Sequence, residues 1–164
     1  MKLSAIRIGL ALGLLAMLST HVHAIPAQQP TAAPSSQSEI TIPSSALLQP
    51  AELVRIMQAS RKPVLLQIGS HVLYAEAHIP GSEYVGAAGT AAGLQALRER
   101  VSNLKKDQLI VLYCGCCPWG RCPNIRPAYQ QLQSLGFTQV KALYLADNFG
   151  ADWVDKGYPV AKGR

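Results

Sequence analysis

Charge is what this chain has least of. Aspartate and glutamate number nine in 164 residues, against 15 lysines and arginines, and all charged residues together make up 15 %. That scarcity excludes the long charge runs that hold segments disordered. The basic residues are scattered, with no stripe of them interleaved with aromatics, so a nucleic-acid partner is not expected. The mildly cationic balance suits a small anionic substrate. No apolar run reaches the ~20 residues that cross a bilayer. No cysteine follows the one apolar run near the start, which argues against lipid attachment there. No internal repeat is visible. Outside the stretch from Cys114 to Cys122 there is no cysteine at all. That excludes a disulfide framework tying distant segments together, the arrangement that gains most from cross-linking.

What is present begins with a segment of its own. Lys2 and Arg7 open the chain, "IGLALGLLAML" (residues 8–18) follows, and "STHVHA" places Val22 and Ala24 at the small-residue positions of a cleavage site. This pattern reads as a secretory signal peptide over residues 1–24; a retained anchor helix is the alternative. Export to the periplasm or the exterior is therefore expected, with no membrane association after cleavage. Residues 25–43, rich in Pro, Ala, Ser and Gln, read as a flexible linker. A single domain is expected over 44–164.

Within that domain, strands alternate with helices. "QPAELVRIMQAS" reads as a helix with Pro50 in its first turn and Leu53, Val54, Ile56 and Met57 on one face. "PVLLQI" and "QLIVLYC" are apolar runs of strand length, as a parallel strand covered on both faces requires. "SHVLYAEAH" suits a short helical turn, and "EYVG" a short strand. Leu94, Leu97, Val101 and Leu104 repeat at helical spacing. "NIRPAYQQLQSLG" reads as a helix with Asn124 as its N-cap and Gly136 as its stop. "QVKALYLA" is a further strand, and "FGADWVDKG" a short terminal helix. The class is α/β, with a mainly parallel sheet flanked by helices.

All four thiols, Cys114, Cys116, Cys117 and Cys122, fall in "CGCCPWGRC". Cys114 closes the strongest strand and the next helix points its N-terminus toward the loop, so free backbone N–H groups can favour an anion there. Gly115, Cys116, Cys117, Trp119, Gly120 and Arg121 can offer amides to a curled loop, whereas Pro118 and Pro123 cannot. Gly115 and Gly120 permit the positive φ such a cradle needs. Arg121, or failing it Arg126, is a candidate for binding an anionic donor. Trp119 is read either as a lid over the sulfur or as packed against the domain. The other thiols leave three readings open. Cys116, Cys117 or Cys122 resolves an adduct on Cys114; two of them pair, with Cys117–Cys122 the less strained choice; or all four bind a soft metal, copper or zinc.

The order of motifs resembles the rhodanese (sulfurtransferase) domain. "HIPGS" (residues 78–82) is similar to the family's His-Ile-Pro-Gly-Ala turn. The buried strand ending in Cys114 precedes a loop and helix as the family's active strand does. "LGFTQVKALYLA" resembles its Gly-Phe-x-x-Val strand entrance, and "DWVDKGYPV" its Trp-x-x-x-Gly-Tyr-Pro-Val ending. The resemblance covers residues 44–161. It implies a rhodanese-like fold, a persulfide carried on Cys114 as nucleophile, an anionic sulfur donor such as thiosulfate, a thiol acceptor and no cofactor. It marks His78 as a structural turn residue. Two features depart from the pattern. The family's Asp-x-Arg at the end of the second strand is replaced by Gln67 and Gly69, and the active loop is longer, with three extra cysteines. A module without catalysis, binding copper, zinc or a partner through Cys114, Cys116, Cys117 and Cys122, is the competing expectation.

Overall fold

The computed structural model describes residues 41–163. The expected signal peptide and all of the linker but residues 41–43 lie outside the described residues. A 3₁₀ turn at Ser44–Ala46 leads into β1 (Leu47–Leu48), α1 (Pro50–Met57), β2 (Val64–Gln67), α2 (His71–Glu76), β3 (Glu83–Tyr84), α3 (Ala91–Val101), β4 (Ile110–Tyr113), a second 3₁₀ turn at Trp119–Arg121, α4 (Ile125–Ser134) and β5 (Val140–Leu143). The five strands form one parallel sheet in the order β1-β5-β4-β2-β3. Among the described residues no helix is long and apolar enough to cross a membrane.

The two-residue alternation of the strands splits the core into two layers. Leu66, Ile68, Ile110, Leu112 and Cys114 face Leu97 and Val101 of α3 and Ile125, Ala128, Tyr129 and Leu132 of α4. Leu65, Val111 and Tyr113 face the other way, onto Leu53 of α1 and the C-terminal Phe149 and Trp153. Residues 125, 128, 129 and 132 recur at helical spacing, which is why α4 lies flat on the sheet. Gly136, at φ +82°, ends that segment in the left-handed region, where glycine pays no Cβ penalty.

Three details differ from the expectations. The edge strand β1 carries no signal in the sequence, because it is only two residues long and takes its hydrogen bonds from β5. The expected terminal helix in "FGADWVDKG" is a single π turn at Gly150–Val154, held by the fully buried Trp153, whose Nε1–H donates to the Pro159 carbonyl at 2.8 Å. Asn124 occupies the N-cap position of α4, yet its side chain caps nothing. It is committed to the cysteine loop instead.

Candidate functional site

The parallel sheet gathers the carboxyl ends of β2, β4 and β5 at one rim, the position where open α/β sheets hold ligands. Cys114 follows directly on β4 and is 5 % exposed. Its place depends on two residues, the last of β2 and one just beyond it. Gln67, itself buried, donates from Nε2 to the Cys114 carbonyl at 3.2 Å and accepts from the Gly69 N–H at 3.1 Å. Gly69 has no side chain, and a Cβ there would lie 2.7 Å from the Cys114 sulfur. The pair standing where the family has Asp-x-Arg therefore has a function of its own: glutamine pins the main chain and glycine leaves room for sulfur.

Three of the four sulfurs converge. The sulfurs of Cys114, Cys116 and Cys122 all lie within 4.8 Å of one another, with Cys114 and Cys116 at 3.1 Å. Asn124 reaches into this group from the start of α4. Its Nδ2–H₂ donates to the Cys114 sulfur at 3.2 Å and more weakly to Cys116 at 3.9 Å. Its Oδ1 accepts from the Gly89 N–H at 2.7 Å, which fixes the amide's orientation. Cys117 stands outside the mutual group, 3.2 Å from the Cys116 sulfur and turned toward the Arg121 carbonyl at 3.8 Å. All four are free thiols. Sulfur contacts of 3.1 Å and 3.2 Å join Cys114 to Cys116 and Cys116 to Cys117.

The surroundings act on the thiols of the group in opposite senses. The Cys122 thiol is lowered to about 6, first by the hydrogen bond it accepts from Cys114 and then by the main-chain N–H groups of Asn124 and Ile125, against the opposing effect of burial. Cys114 is pushed far up, by its bond to Cys122 and by burial. The two thiols are thus shifted in opposite directions, Cys114 up and Cys122 down.

The amide cradle expected around Cys114 forms only in part. The Cys116 N–H faces its sulfur. The N–H groups of Trp119, Arg121 and Cys122 are taken by the carbonyls of Ala146, Pro118 and Trp119. Gly115 adopts φ +74°, as a tight turn after the strand requires, and its carbonyl accepts from the Phe149 N–H. Gly120 sits inside the 3₁₀ turn, outside the left-handed region.

Three openings surround the sulfurs. Trp119, half-buried against Tyr144 with ring centroids 5.2 Å apart, joins Cys114, Gly115, Cys117, Cys122, Ile125, Leu143 and Leu145 in lining a narrow apolar slot. It is thus both packed on the domain and beside the thiols. A pocket of about 100 Å³ lies on one side, lined by Cys122, Trp119, Gly120 and Arg126. Arg126, not Arg121, is the arginine that borders this pocket. A groove of about 330 Å³ lies on the other side, where Cys116 and Gly115 meet Leu73, Phe149 and Val154. His78 is structural, as expected: its Nδ1 lies 2.8 Å from the Tyr74 carbonyl and its ring stacks on Tyr74. Sequence reasoning missed the roles of Gln67, Gly69 and Asn124. The one signal for them was the departure of Gln67 and Gly69 from the family pattern.

The family model of the rhodanese-like domain matches residues 49–145 of this chain. The chain belongs to the rhodanese-like family. No curated protein matches it. Solved structures similar to this rhodanese-like domain include the BH2092 protein of Bacillus halodurans, at 21 % identity, covering 72 % of this chain and 77 % of that one, with a TM-score of 0.55. The rhodanese-like domain of the Alr3790 protein of Anabaena sp. aligns at 20 % identity over 71 % of this chain and 79 % of that one, TM-score 0.53. Protein hp1203 of Helicobacter pylori aligns at 14 % over 73 % and 91 %, TM-score 0.50. At these identities the likeness is one of fold, and the rhodanese-like cysteine loop has to be read on its own chemistry.

Proposed function

We propose that this rhodanese-like protein is exported and transfers sulfane sulfur, with Cys114 carrying the persulfide. The observation behind the reading is the convergence of three thiol sulfurs within 4.8 Å at the carboxyl end of β4. A thiolate of the group attacks the outer sulfur of a thiosulfate-type donor. The new S–S bond forms as the S–S bond of the donor breaks, and sulfite leaves with its electron pair. The sulfane sulfur then moves between neighbours: one thiolate attacks the outer sulfur of the adjacent persulfide, whose inner sulfur departs as thiolate, with no net oxidation. Cys122 faces the pocket bordered by Arg126, which suits an anionic donor. Cys116 faces the groove beside Leu73 and Val154, which suits a thiol acceptor. Cys114 stands between them and nearly out of solvent, where a persulfide is shielded from stray thiols.

Turnover of thiosulfate with cyanide tests the reading. Cys114→Ser is expected to abolish thiocyanate formation, and Cys117→Ser to retain it. The wild-type protein incubated with thiosulfate alone should gain the mass of one sulfur, removed by dithiothreitol. Equal turnover by Cys114→Ser and wild type sinks the assignment. Export is checked separately, by whether the protein recovered from the periplasmic fraction begins after Ala24.

A further inference from the structure

We infer that Cys114, Cys116 and Cys122 form a three-coordinate site for Cu(I). The inference goes beyond sulfur transfer and does not depend on it. Metal–thiolate bonds of about 2.3 Å put three sulfurs about 4 Å apart in a trigonal plane. The three sulfurs here already lie within 4.8 Å of one another, so binding asks for side-chain adjustment rather than loop refolding. Thiolates are the ligands that soft ions select. The decisive point is that three sulfurs, and not four, converge on one another, Cys117 touching the group only at its edge. Among the described residues no histidine or carboxylate joins the group. Asn124, which donates to the sulfurs, has its oxygen committed to the Gly89 N–H and presents only N–H₂ to them. Cys117 stands outside the group. A tetrahedral ion such as zinc needs a fourth ligand, from solvent or from Cys117, whereas three thiolates satisfy Cu(I).

The surroundings suit the charge that results. Three thiolates and one Cu(I) make a dianion. Its compensation is in place as the Asn124 amide protons and the main-chain N–H groups of Asn124 and Ile125 at the start of α4. Trp119, Leu143, Leu145 and Ile125 wall the Cys114 and Cys122 side of the site with apolar surface, while Cys116 opens onto the groove on the other side. Asn124 acts here through hydrogen bonds to the ligands, the kind of partner whose loss weakens a metal complex by roughly 10–100-fold.

The test is an anaerobic titration of the fully reduced protein with Cu(I) held by bicinchoninate, with no sulfur donor present. The expected result is one Cu(I) withdrawn per chain, in the presence of excess Zn(II), with quenching of the Trp119 emission; a Trp119→Phe variant separates that signal from Trp153. Cys116→Ser and Cys122→Ser should leave the ion with the competitor, and Cys117→Ser should bind as wild type. Cys116 is exposed, so its variant keeps the fold; circular dichroism verifies this for each variant. X-ray absorption should show three sulfur neighbours. The inference is overturned if bicinchoninate keeps the copper, if Cys117→Ser is as damaging as Cys116→Ser, or if four sulfurs surround the ion. None of these outcomes touches thiosulfate turnover, so the failure of one reading is distinct from the failure of the other.

Discussion

Gly69 is the residue on which the position of the central sulfur turns. Adding one methyl there puts carbon 2.7 Å from the Cys114 sulfur, closer than unbonded atoms tolerate. Gly69→Ala is expected to lower stability in urea by ~1–3 kcal/mol, the usual range for overpacking, and to lower thiosulfate turnover more than stability accounts for. Gln67→Ala acts differently. It removes both partners of one amide and leaves the Cys114 carbonyl and the Gly69 N–H buried without a bond, at about 1–3 kcal/mol. Its damage should therefore appear mainly in the urea midpoint. If Gly69→Ala leaves both stability and turnover unchanged, the glycine is not what holds the sulfur in place.

At the scale of elements, β4 organises the site from both of its faces. Cys114 at its end belongs to the layer under α4, while Tyr113, one residue earlier, points to the opposite layer. There the Tyr113 hydroxyl accepts from the Ile79 N–H at 3.3 Å and meets Ser82 Oγ at 2.7 Å, which clamps the "HIPGS" turn to the sheet. Tyr113→Phe strands those partners and should cost about 1–3 kcal/mol, with hydrogen exchange of the Ile79 amide rising first. A weaker clamp joins β3 to α3. Glu83 is held below the usual carboxylate range, chiefly by its hydrogen bond to Arg100. A lowered folded value means that the pair stabilises above the unfolded glutamate's value and loses that contribution as pH falls through the folded one. Both side chains are substantially exposed, so the effect is about 0.2–1 kcal/mol. Glu83→Gln should lower the urea midpoint at pH 7 and leave it unchanged near pH 2. These elements also show what the sequence could reveal. β4 is a continuous apolar run, β2 is one up to Gln67 and β5 is one broken only by Lys141, and α1, α3 and α4 have helical periodicity, so each declares itself locally. β1 does not, because two residues have no period. The loop's shape was hidden because the Trp119 amide is taken by Ala146 and the Gly115 turn is fastened to Phe149, partners that arrive only after β5. Asn124 read as a cap because its sequence position is a cap's; its true partners, Gly89 and Cys114, are brought in by the fold.

The whole molecule has two unlike ends. The largest of the recesses described, about 580 Å³, is lined by Arg61, Lys105, Asp107, Gln108, Leu109 and Gln139. By volume and charge it is the natural guess for an anion site. Its residues, however, immediately precede β2, β4 and β5, so it lies at the amino ends of the strands, opposite the cysteines. Parallel sheets place their chemistry at the carboxyl ends, where the loops leave the strands toward helix N-termini. No cysteine lines the recess. The two ends make opposite predictions for an anionic donor. If thiosulfate is bound beside Cys122, Arg126→Ala should raise KM for thiosulfate with a smaller effect on kcat, and added salt should raise the wild-type KM in the same direction. Arg61→Ala and Lys105→Ala, alone or together, should leave kcat/KM within about twofold, since charges a sheet length away are screened in salt. Measuring both sets under one ionic strength decides the matter. Loss of turnover from the Arg61 and Lys105 variants with Arg126→Ala unaffected would move the donor to the far end, where no sulfur waits to receive it, and would remove the physical basis for reading this fold as a sulfur carrier.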